Sequence, residues 1–333
     1  MRDIKWGIIG CGKIANMFAT SLKALDDGTL LAGASRTPGR AAAFAEKRGM
    51  DRAYSDYEAL VADPDIDAVY IATTHNFHYE NARLCLENGK HVLCEKPFTV
   101  NAAQTRELMK LASEKKLFMM EAVWTRFLPA IRKLQALLSE GVVGEVLTVK
   151  ADFSIAGEFG AEHRLKNRAL AGGALLDLGI YPITFASVVF GGQPARIQSS
   201  AVIGETGVDD RSFYLFDYEG GRRAMLSSSF THNAPSEGII CGTKGYIRVP
   251  GFHQAHEFQI HREGNTPPET VSLPYGEGEN FKFEIAHAME CIAAGKLESD
   301  IMPLSETLAV MQTMDALRAQ WGLLYEGEQH CPQ

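Results

Sequence analysis

The sequence predicts an α/β protein in which a doubly wound parallel sheet is followed by an α+β domain with a large, mostly antiparallel open sheet. Short apolar strands alternate with helices as far as residue 122, as in parallel sheets covered on both faces. Beyond residue 144, strands follow one another through glycine-containing turns, which indicates antiparallel pairing. Because 333 residues are many for one hydrophobic core, we expect domains over residues 1–124 and 125–333. The last helix could pack back on the first domain.

The first predicted strand, Ile4–Ile9, runs into a glycine turn and then an amphipathic helix. Gly10 permits the tight turn, and Gly12 lets the backbone approach a pyrophosphate that rests on the helix N-terminus. A glycine motif in this strand–turn–helix context indicates a dinucleotide site of the Rossmann type. Its predicted cofactor contacts are Gly10, Gly12, Lys13 and Ile14.

The second predicted strand, Leu30–Ala34, ends at Ser35 and Arg36. A site specific for NAD would carry an acidic residue here for the ribose 2′-hydroxyl. This chain offers a hydroxyl and a guanidinium instead, and a guanidinium can bind a 2′-phosphate with two hydrogen bonds. We therefore predict that Ser35 and Arg36 bind NADP in preference to NAD.

The third ligand-facing segment follows the predicted strand Ala68–Thr73. Residues just beyond the carboxyl ends of parallel strands lie on the edge where such sheets bind ligands. Thr73, Asn76 and His78 are therefore predicted contacts of the cofactor or substrate. His78 is equally well explained as a helix N-terminal histidine without chemistry. The remaining elements of this half are helices at Pro38–Arg48, Asp56–Ala62, His78–Asn88 and Asn101–Lys115, and a strand at Leu117–Ala122.

The stretch His91–Pro97 ends a further apolar strand at a lysine–proline corner. Pro97 has a fixed φ and no N–H, so the strand should end there. The residue before a proline is biased toward an extended backbone, which places the Lys96 cation at the strand tip. We predict that Glu95 and Lys96 contact the cofactor on the same edge of the sheet.

The second predicted domain leaves one face of its sheet to be covered, because its helices pack on the other. The apolar alternation within residues 212–230 predicts that a second copy of the chain supplies the cover, as a homodimer or dimer-based oligomer. Helices are predicted at Pro129–Ser139, Ala174–Phe190, Asn280–Ala294 and Pro303–Tyr325, and strands at Val146–Ile155, Arg196–Ile203, Ser212–Tyr218, Arg222–Phe230, Gly238–Cys241, Tyr246–Val249, Glu257–His261 and Thr270–Leu273.

An acid and a phenol lie near the start of the helix at 174–190. Asp177 and Tyr181 are four residues apart, so on a helix they share one face. Pro182 is best tolerated in a first helical turn, so the helix could instead begin near Gly179. Asp177 could then be only a cap, and Tyr181 only a core aromatic.

Three segments together resemble a known family: the turn Gly10–Ala15, the corner Glu95–Pro97 and the segment Asp177–Tyr181. Over nearly its whole length the chain is similar to the glucose–fructose oxidoreductase and inositol dehydrogenase family. Within it, Met120–Phe127 and the tyrosine at 181 are similar to the dihydrodiol dehydrogenase and NADP-dependent xylose dehydrogenase branch. His75 departs from the family, in which proline is more usual there. The resemblance implies an active site between a nicotinamide domain and a sheet domain, with Lys96, Asp177 and Tyr181 as the catalytic group.

The chemistry that this resemblance implies is reversible hydride transfer between a carbinol carbon and a nicotinamide. The pKa of tyrosine is about 10, and a neighbouring ammonium favours the phenolate and lowers it. Tyr181 would thus be the acid–base group, while Lys96 lowers its pKa and holds the substrate oxygen. The two roles could be exchanged. Asp177 would orient Lys96 or a sugar hydroxyl.

The substrate is predicted to be an aldose or a cyclic trans-diol, because aromatic faces suit both. The aromatic candidates, which could equally be core residues, are Trp124, Phe127, Phe153 and Phe281. Arg126 and Arg164 could bind substrate hydroxyls or cofactor phosphates, and we count Trp124 and Arg126 among the cofactor contacts. Two alternatives stay open: a cofactor-binding regulator without turnover, and a glycosidase that uses bound NAD.

The bulk composition limits the partners. A net charge of −8 argues against nucleic acid or an anionic membrane, and no run looks long and apolar enough to span a bilayer. The six cysteines are scattered, which predicts reduced thiols and no metal site. With the first strand so close to Met1 we expect no signal peptide and a cytoplasmic protein.

Overall fold

The computed structural model describes residues 3–264 and 267–328, which pack as two units. The first unit contains the described residues up to Trp124 together with Tyr275–Leu308, and the second contains Thr125–Pro274 and the residues from Ala309 onward. The segment Tyr275–Leu308 packs with the first unit. The domain bounds predicted from the sequence had placed it in the second domain. Close packing explains the difference, because a Cβ on Gly28 would meet the sulfur of Met289 at 2.8 Å.

The helices that cover or connect the sheets have the following bounds: α1 Lys13–Leu22, α2 Arg40–Arg48, α3 Tyr57–Ala62, α4 His78–Glu87, α5 Ala102–Lys115, α6 Pro129–Ser139, α7 Ile180–Phe190, α8 Lys282–Ala293 and α9 Leu304–Trp321. Two of them begin at a side-chain cap that the sequence shows directly. Asp56 accepts the N–H of Ala59 at 2.7 Å, and Asn101 accepts that of Gln104 at 3.0 Å.

The first unit contains a six-stranded parallel sheet in the order 3-2-1-4-5-6. Because the order reverses between β1 and β4, the residues after these two strands flank a switch point, where open α/β sheets bind ligands. The strands are β1 Ile4–Ile9, β2 Gly28–Ala34, β3 Arg52–Tyr54, β4 Ala68–Ile71, β5 His91–Glu95 and β6 Met119–Ala122. Strand β3 was not among the sequence predictions, because its three residues are too few to show an apolar period.

The second unit contains an eight-stranded sheet in the order 14-13-12-11-7-10-9-8, antiparallel except where β7 and β10 pair in parallel. Burial alternates along β9, so one face is core and the other is exposed. The strands are β7 Val146–Ser154, β8 Arg196–Ile203, β9 Asp209–Asp217, β10 Arg223–Ser229, β11 Glu237–Gly242, β12 Gly245–Pro250, β13 Glu257–Arg262 and β14 Glu269–Ser272. The predicted fold class is confirmed in both units.

Helix α7 is the core helix of the second unit, and all of Ile180–Val188 is buried. By length and composition the stretch Arg168–Phe190 could cross a membrane, with a mean hydropathy of 1.6. The expectation that no run is so long and apolar was therefore wrong. Its most apolar window is 83% buried within the protein, so packing accounts for the composition.

Candidate active site

The glycine turn after β1 is fixed by contact with the end of β4. Gly10 has a φ of 93°, and a Cβ on it would lie 2.8 Å from the carbonyl carbon and oxygen of Ala72. Only glycine fits such a position. A Cβ on Gly12, by contrast, would meet no atom within 4 Å, so the space above this residue is open.

The N-terminus of α1 follows this open space. Gly12 is its N-cap and offers no side chain to the helix, and the first turn carries no acidic residue. The N–H groups at Lys13 and Ile14 therefore have no side-chain cap and lie at the positive end of the helix dipole. This arrangement suits the phosphates of a dinucleotide.

At the end of β2, Ser35 and Arg36 have different surroundings. Ser35 is buried, and its Oγ accepts the N–H of Thr37 at 3.2 Å. Arg36 is exposed and places its guanidinium carbon 4.6 Å from the ring centroid of Tyr57. No acidic residue occurs between Ala34 and Glu46, so the segment that follows the strand carries cations and hydroxyls and no carboxylate of its own.

His78 contacts the segments that follow two strands, β4 and β5. It is fully buried, with Nδ1 2.8 Å from the carbonyl oxygen of Pro97 and Nε2 3.2 Å from that of Thr73. A side chain held in this way has a structural task, so the geometry gives no support to the predicted cofactor contact of His78. Asn76 is half-exposed, and its Oδ1 accepts the hydroxyl of Thr74 at 2.8 Å.

The Glu95–Pro97 corner is fixed by buried acids. Glu95 accepts the hydroxyl of Tyr70 on one oxygen and the N–H of Lys96 at 3.3 Å on the other. Beyond the cis Lys96–Pro97 bond, Glu121 accepts the N–H of Phe98 at 2.9 Å. The backbone on both sides of Lys96 is thereby held, which positions its partly exposed side chain on the ligand edge of the sheet.

A third acid, Glu284 of α8, lies fully buried near Glu95. Burial, and then the charge of Glu95, raises the pKa of Glu284 well above its usual value. Neither of its carboxyl oxygens has a hydrogen-bond partner among the described residues. Burial thus favours the neutral form of Glu284, and nothing in the sequence of an amphipathic helix indicated this buried acid.

In the second unit, Asp177 lies in a π-helical turn, Leu175–Gly179, that leads directly into α7. π-turns inside helices are frequent at functional sites. Asp177 accepts a hydrogen bond from Nη1 of Arg164 at 2.9 Å and is 7% exposed. One partner of Asp177 is thus an arginine of the same unit, and this pairing was not among the sequence predictions.

Tyr181 follows in the first turn of α7 and lies within an aromatic group. Its ring meets Phe153 edge-on at 5.4 Å and His253 at 5.8 Å, while Phe153 stacks on His253 at 4.1 Å. Tyr181 is 7% exposed. Two other aromatic candidates, Phe127 and Phe281, are buried core residues.

Asp209 of β9 forms a hydrogen bond with the first residue of the π-turn. Its carboxylate accepts the N–H of Leu175 at 2.8 Å and the hydroxyl of Ser212 at 3.2 Å. Complete burial raises the pKa of Asp209 to about 7. A Cβ on Gly179 would lie 2.6 Å from the hydroxyl of Tyr214, so packing favours glycine at this position.

The last two predicted cofactor contacts, Trp124 and Arg126, belong to different units, because the division along the chain falls between Trp124 and Thr125. Trp124, in the first unit, meets Phe281 edge-on at 4.6 Å. Arg126, in the second, is only 7% exposed.

Two family models match the chain, one described as an oxidoreductase family with an NAD-binding Rossmann fold over residues 4–122, the other as a GFO/IDH/MocA C-terminal domain over residues 131–248. The chain belongs to the GFO/IDH/MocA oxidoreductase family. The resemblance drawn from the three sequence segments is confirmed, and with it the expectation of an oxidoreductase.

Curated relatives match along almost the whole chain. The trans-1,2-dihydrobenzene-1,2-diol dehydrogenase of Xenopus tropicalis is 37% identical, with 96% of this chain and 99% of the relative covered. The human enzyme of the same name is 36% identical, with 97% and 98% covered.

Solved structures show the same fold. A 3-ketoreductase from Actinomadura kijaniata, in complex with TDP-benzene and NADP, matches with a TM-score of 0.84, 28% identity, and 95% of this chain and 97% of that chain covered. The same reductase has been solved as a lysine-to-alanine and as a tyrosine-to-phenylalanine mutant. An aldose–aldose oxidoreductase from Caulobacter crescentus matches with a TM-score of 0.87 at 23% identity, covering 96% and 98%.

Proposed function

We propose that this protein is an NADP-dependent dehydrogenase or reductase that acts on a CH–OH group of a sugar or a cyclic trans-diol. The observation that carries the proposal is the ligand edge of the parallel sheet. There an uncapped helix N-terminus, a strand end without a carboxylate and the fixed Lys96 corner occur together. The dihydrodiol dehydrogenase relatives and the NADP complex of the similar 3-ketoreductase support the cofactor and the reaction class.

The cofactor would rest its phosphates on the N–H groups at the start of α1 and its 2′-phosphate near Ser35 and Arg36. When bound, its nicotinamide accepts or donates the hydride. Arg36 is exposed and has no acidic neighbour in sequence, so it can offer its guanidinium edge to a phosphate while its face stays on Tyr57.

Tyr181 is the proposed acid–base group, and Lys96 supplies the ammonium that favours its phenolate form. In oxidation, the phenolate removes the hydroxyl proton of the substrate as the carbinol hydrogen leaves as hydride; in reduction, the phenol returns that proton. Asp177, paired with Arg164 at 2.9 Å, would hold a neighbouring substrate hydroxyl.

The substrate class follows from the surroundings of Tyr181. Phe153 and His253 offer ring faces beside the phenol, and the Arg164–Asp177 pair offers polar groups. A flat or ring-shaped substrate with adjacent hydroxyls suits this combination, whether it is an aldose or a cyclic trans-diol. We also propose that the protein works as a cytoplasmic homodimer or dimer-based oligomer and binds no nucleic acid or membrane.

The experiment that tests the proposal follows the absorbance of reduced nicotinamide with a panel of aldoses and cyclic trans-diols, each with NADP and with NAD. NADP-dependent turnover of a panel member is the expected result. Cofactor binding without turnover of any member would favour the regulator, and release of nitrophenol from nitrophenyl glycosides with bound NAD would favour the glycosidase. Either result would contradict the proposal.

A further inference from the structure

A group of metal-ligating side chains lies outside the candidate active site, at the carboxyl-terminal end of α8. His287 and Cys291 are four residues apart and therefore share one helix face. The loop before α9 brings Asp300 against them. Nε2 of His287 lies 3.4 Å from Sγ of Cys291 and 3.5 Å from Oδ1 of Asp300, and all three ligand atoms lie within 4.8 Å of one another.

We propose that His287, Cys291 and Asp300 form a binding site for Zn²⁺, with the fourth position open to water. Imidazole, thiolate and carboxylate are the ligands that zinc takes in proteins. Zinc–ligand bonds of about 2.0–2.3 Å at tetrahedral angles put neighbouring ligand atoms about 3.3–3.6 Å apart. The two distances from Nε2 fall in this range, so the ion requires only small side-chain movements there.

The hydrogen bonds of Ser299 leave His287 in the tautomer that a metal needs. Ser299 Oγ accepts the N–H groups of Ile301 and Met302 at 3.0 and 2.9 Å. With both lone pairs in use, its proton is donated to Nε2 of His287, 2.8 Å away. Nε2 is therefore the unprotonated nitrogen, and a metal ion would replace the Ser299 proton on its single lone pair.

One charged neighbour of the site is a lysine. Lys296 lies 3.3 Å from Asp300 and competes with the metal. Both side chains of that pair are mostly exposed, and exposed pairs contribute little to stability, so the ion can displace Lys296.

The position of the site implies a stabilising role in the first unit. The loop that carries Asp300 is tied to the edge of the parallel sheet, because the carbonyl of Leu297 accepts the N–H of Met119 in β6 at 3.0 Å. A metal that joins this loop to α8 would fix the end of α8 against the sheet. We expect it to raise thermal stability by binding the folded state, and to do so without the nicotinamide cofactor.

The test is titration of the chelator-treated full-length protein with Co²⁺, a spectroscopic substitute for zinc. One ion per chain with a sulfur-to-cobalt charge-transfer band is expected, and competition with Zn²⁺ should abolish the band. Cys291→Ser should remove the band, while Cys241→Ser, a matched change at a partly exposed thiol of β11, should retain it. A wild-type protein without the band, or the same band in Cys291→Ser, would overturn the proposal.

A variant at an exposed ligand separates metal binding from folding. Asp300 has a 70% exposed side chain, so Asp300→Asn should leave the fold intact. Its Co²⁺ affinity should fall by more than the roughly 10–100-fold that loss of an outer-shell partner causes, and Zn²⁺ should no longer raise its melting temperature. Unchanged affinity and melting behaviour would show that the three side chains do not act together.

Discussion

Tyr181 and Lys96 are the residues whose loss should separate chemistry from binding. Tyr181→Phe keeps the ring against Phe153 and His253 but removes the proton, and Lys96→Met keeps the chain length but removes the charge. Each change should lower kcat by roughly 10²–10⁴-fold, the usual contribution of a general acid–base group. Cofactor binding, measured by quenching of protein fluorescence, should stay within a few-fold of wild type.

The controls for these two variants are Tyr246→Phe and Lys47→Met, which change exposed side chains on β12 and α2. Both should keep wild-type turnover. If either active-site variant also turned over at the wild-type rate, the assignment of the acid–base pair would be wrong.

Arg36 should determine which nicotinamide cofactor is preferred. Arg36→Ala removes the guanidinium at the end of β2, and the KM for NADP should rise by roughly tenfold or more, since a charge-assisted pair contributes about 1.5–3 kcal/mol. The KM for NAD should change little, because NAD has no 2′-phosphate. Arg83→Ala, at an exposed arginine paired with Glu87 in the same unit, is the matched control. Equal changes for NADP and NAD would contradict the role of Arg36.

At the scale of elements, the two glycines of the turn before α1 should fail in different ways. Gly10→Ala puts a Cβ 2.8 Å from the backbone of Ala72 at a φ of 93°, so the protein should lose at least about 1–2 kcal/mol of stability. Gly12→Ala has an extended backbone and open space, so it should fold normally but bind the dinucleotide weakly. Urea unfolding and cofactor titration measure the two effects. A destabilised Gly12→Ala variant, or a stable Gly10→Ala variant, would contradict the open space described above Gly12.

The π-turn should respond to pH through Asp209. Burial raises the pKa of Asp209 from 3.8 to about 7. The neutral carboxyl of Asp209 therefore adds up to about 4 kcal/mol to the free energy of unfolding. This contribution is complete below pH 3.8 and is lost as the pH rises through about 7. Asp209→Asn keeps an oxygen for the N–H of Leu175 but cannot ionise. The difference in unfolding free energy between variant and wild type should therefore move in the variant's favour between about pH 5 and about pH 8. A difference that stays constant would place the pKa of Asp209 outside this range.

The elements that the sequence predicted well are those with a local signal. The bounds of β1, β8 and α6 were predicted to the residue, because apolar runs between glycines and a proline at a helix start are visible in the chain. The π-turn at Leu175–Gly179 could not be predicted, since it is held by a hydrogen bond to Asp209, some thirty residues further along the chain. The buried acid Glu284 was missed for the same reason, because its effect depends on Glu95, which is distant in sequence.

At the scale of the whole molecule, the exposed face of the eight-stranded sheet is the surface for which a second copy is proposed. Phe213 pairs with Ser200 of β8 and with Ser227 of β10, so these three side chains lie on the same face. Val202 and Met225 lie two residues from Ser200 and Ser227 along their strands, so they lie on this face as well. Phe213 and Met225 are 49% and 51% exposed, whereas Tyr214 and Leu226 on the opposite face are buried. An apolar group of this kind on an open sheet is typical of an isologous interface.

Phe213→Asp should therefore convert the protein to a monomer, because two carboxylates would be buried across a two-fold interface without partners. Sedimentation velocity at micromolar concentration measures the change, and circular dichroism verifies that the fold persists. Phe77→Asp, at an aromatic side chain 37% exposed in the first unit, is the matched control and should leave the oligomer unchanged. A wild-type monomer at that concentration, or an unchanged oligomer in Phe213→Asp, would show that this face has another use. Either result would leave the chemistry assigned to Tyr181 and Lys96 intact, since the proposed roles of these two residues do not involve the exposed sheet face.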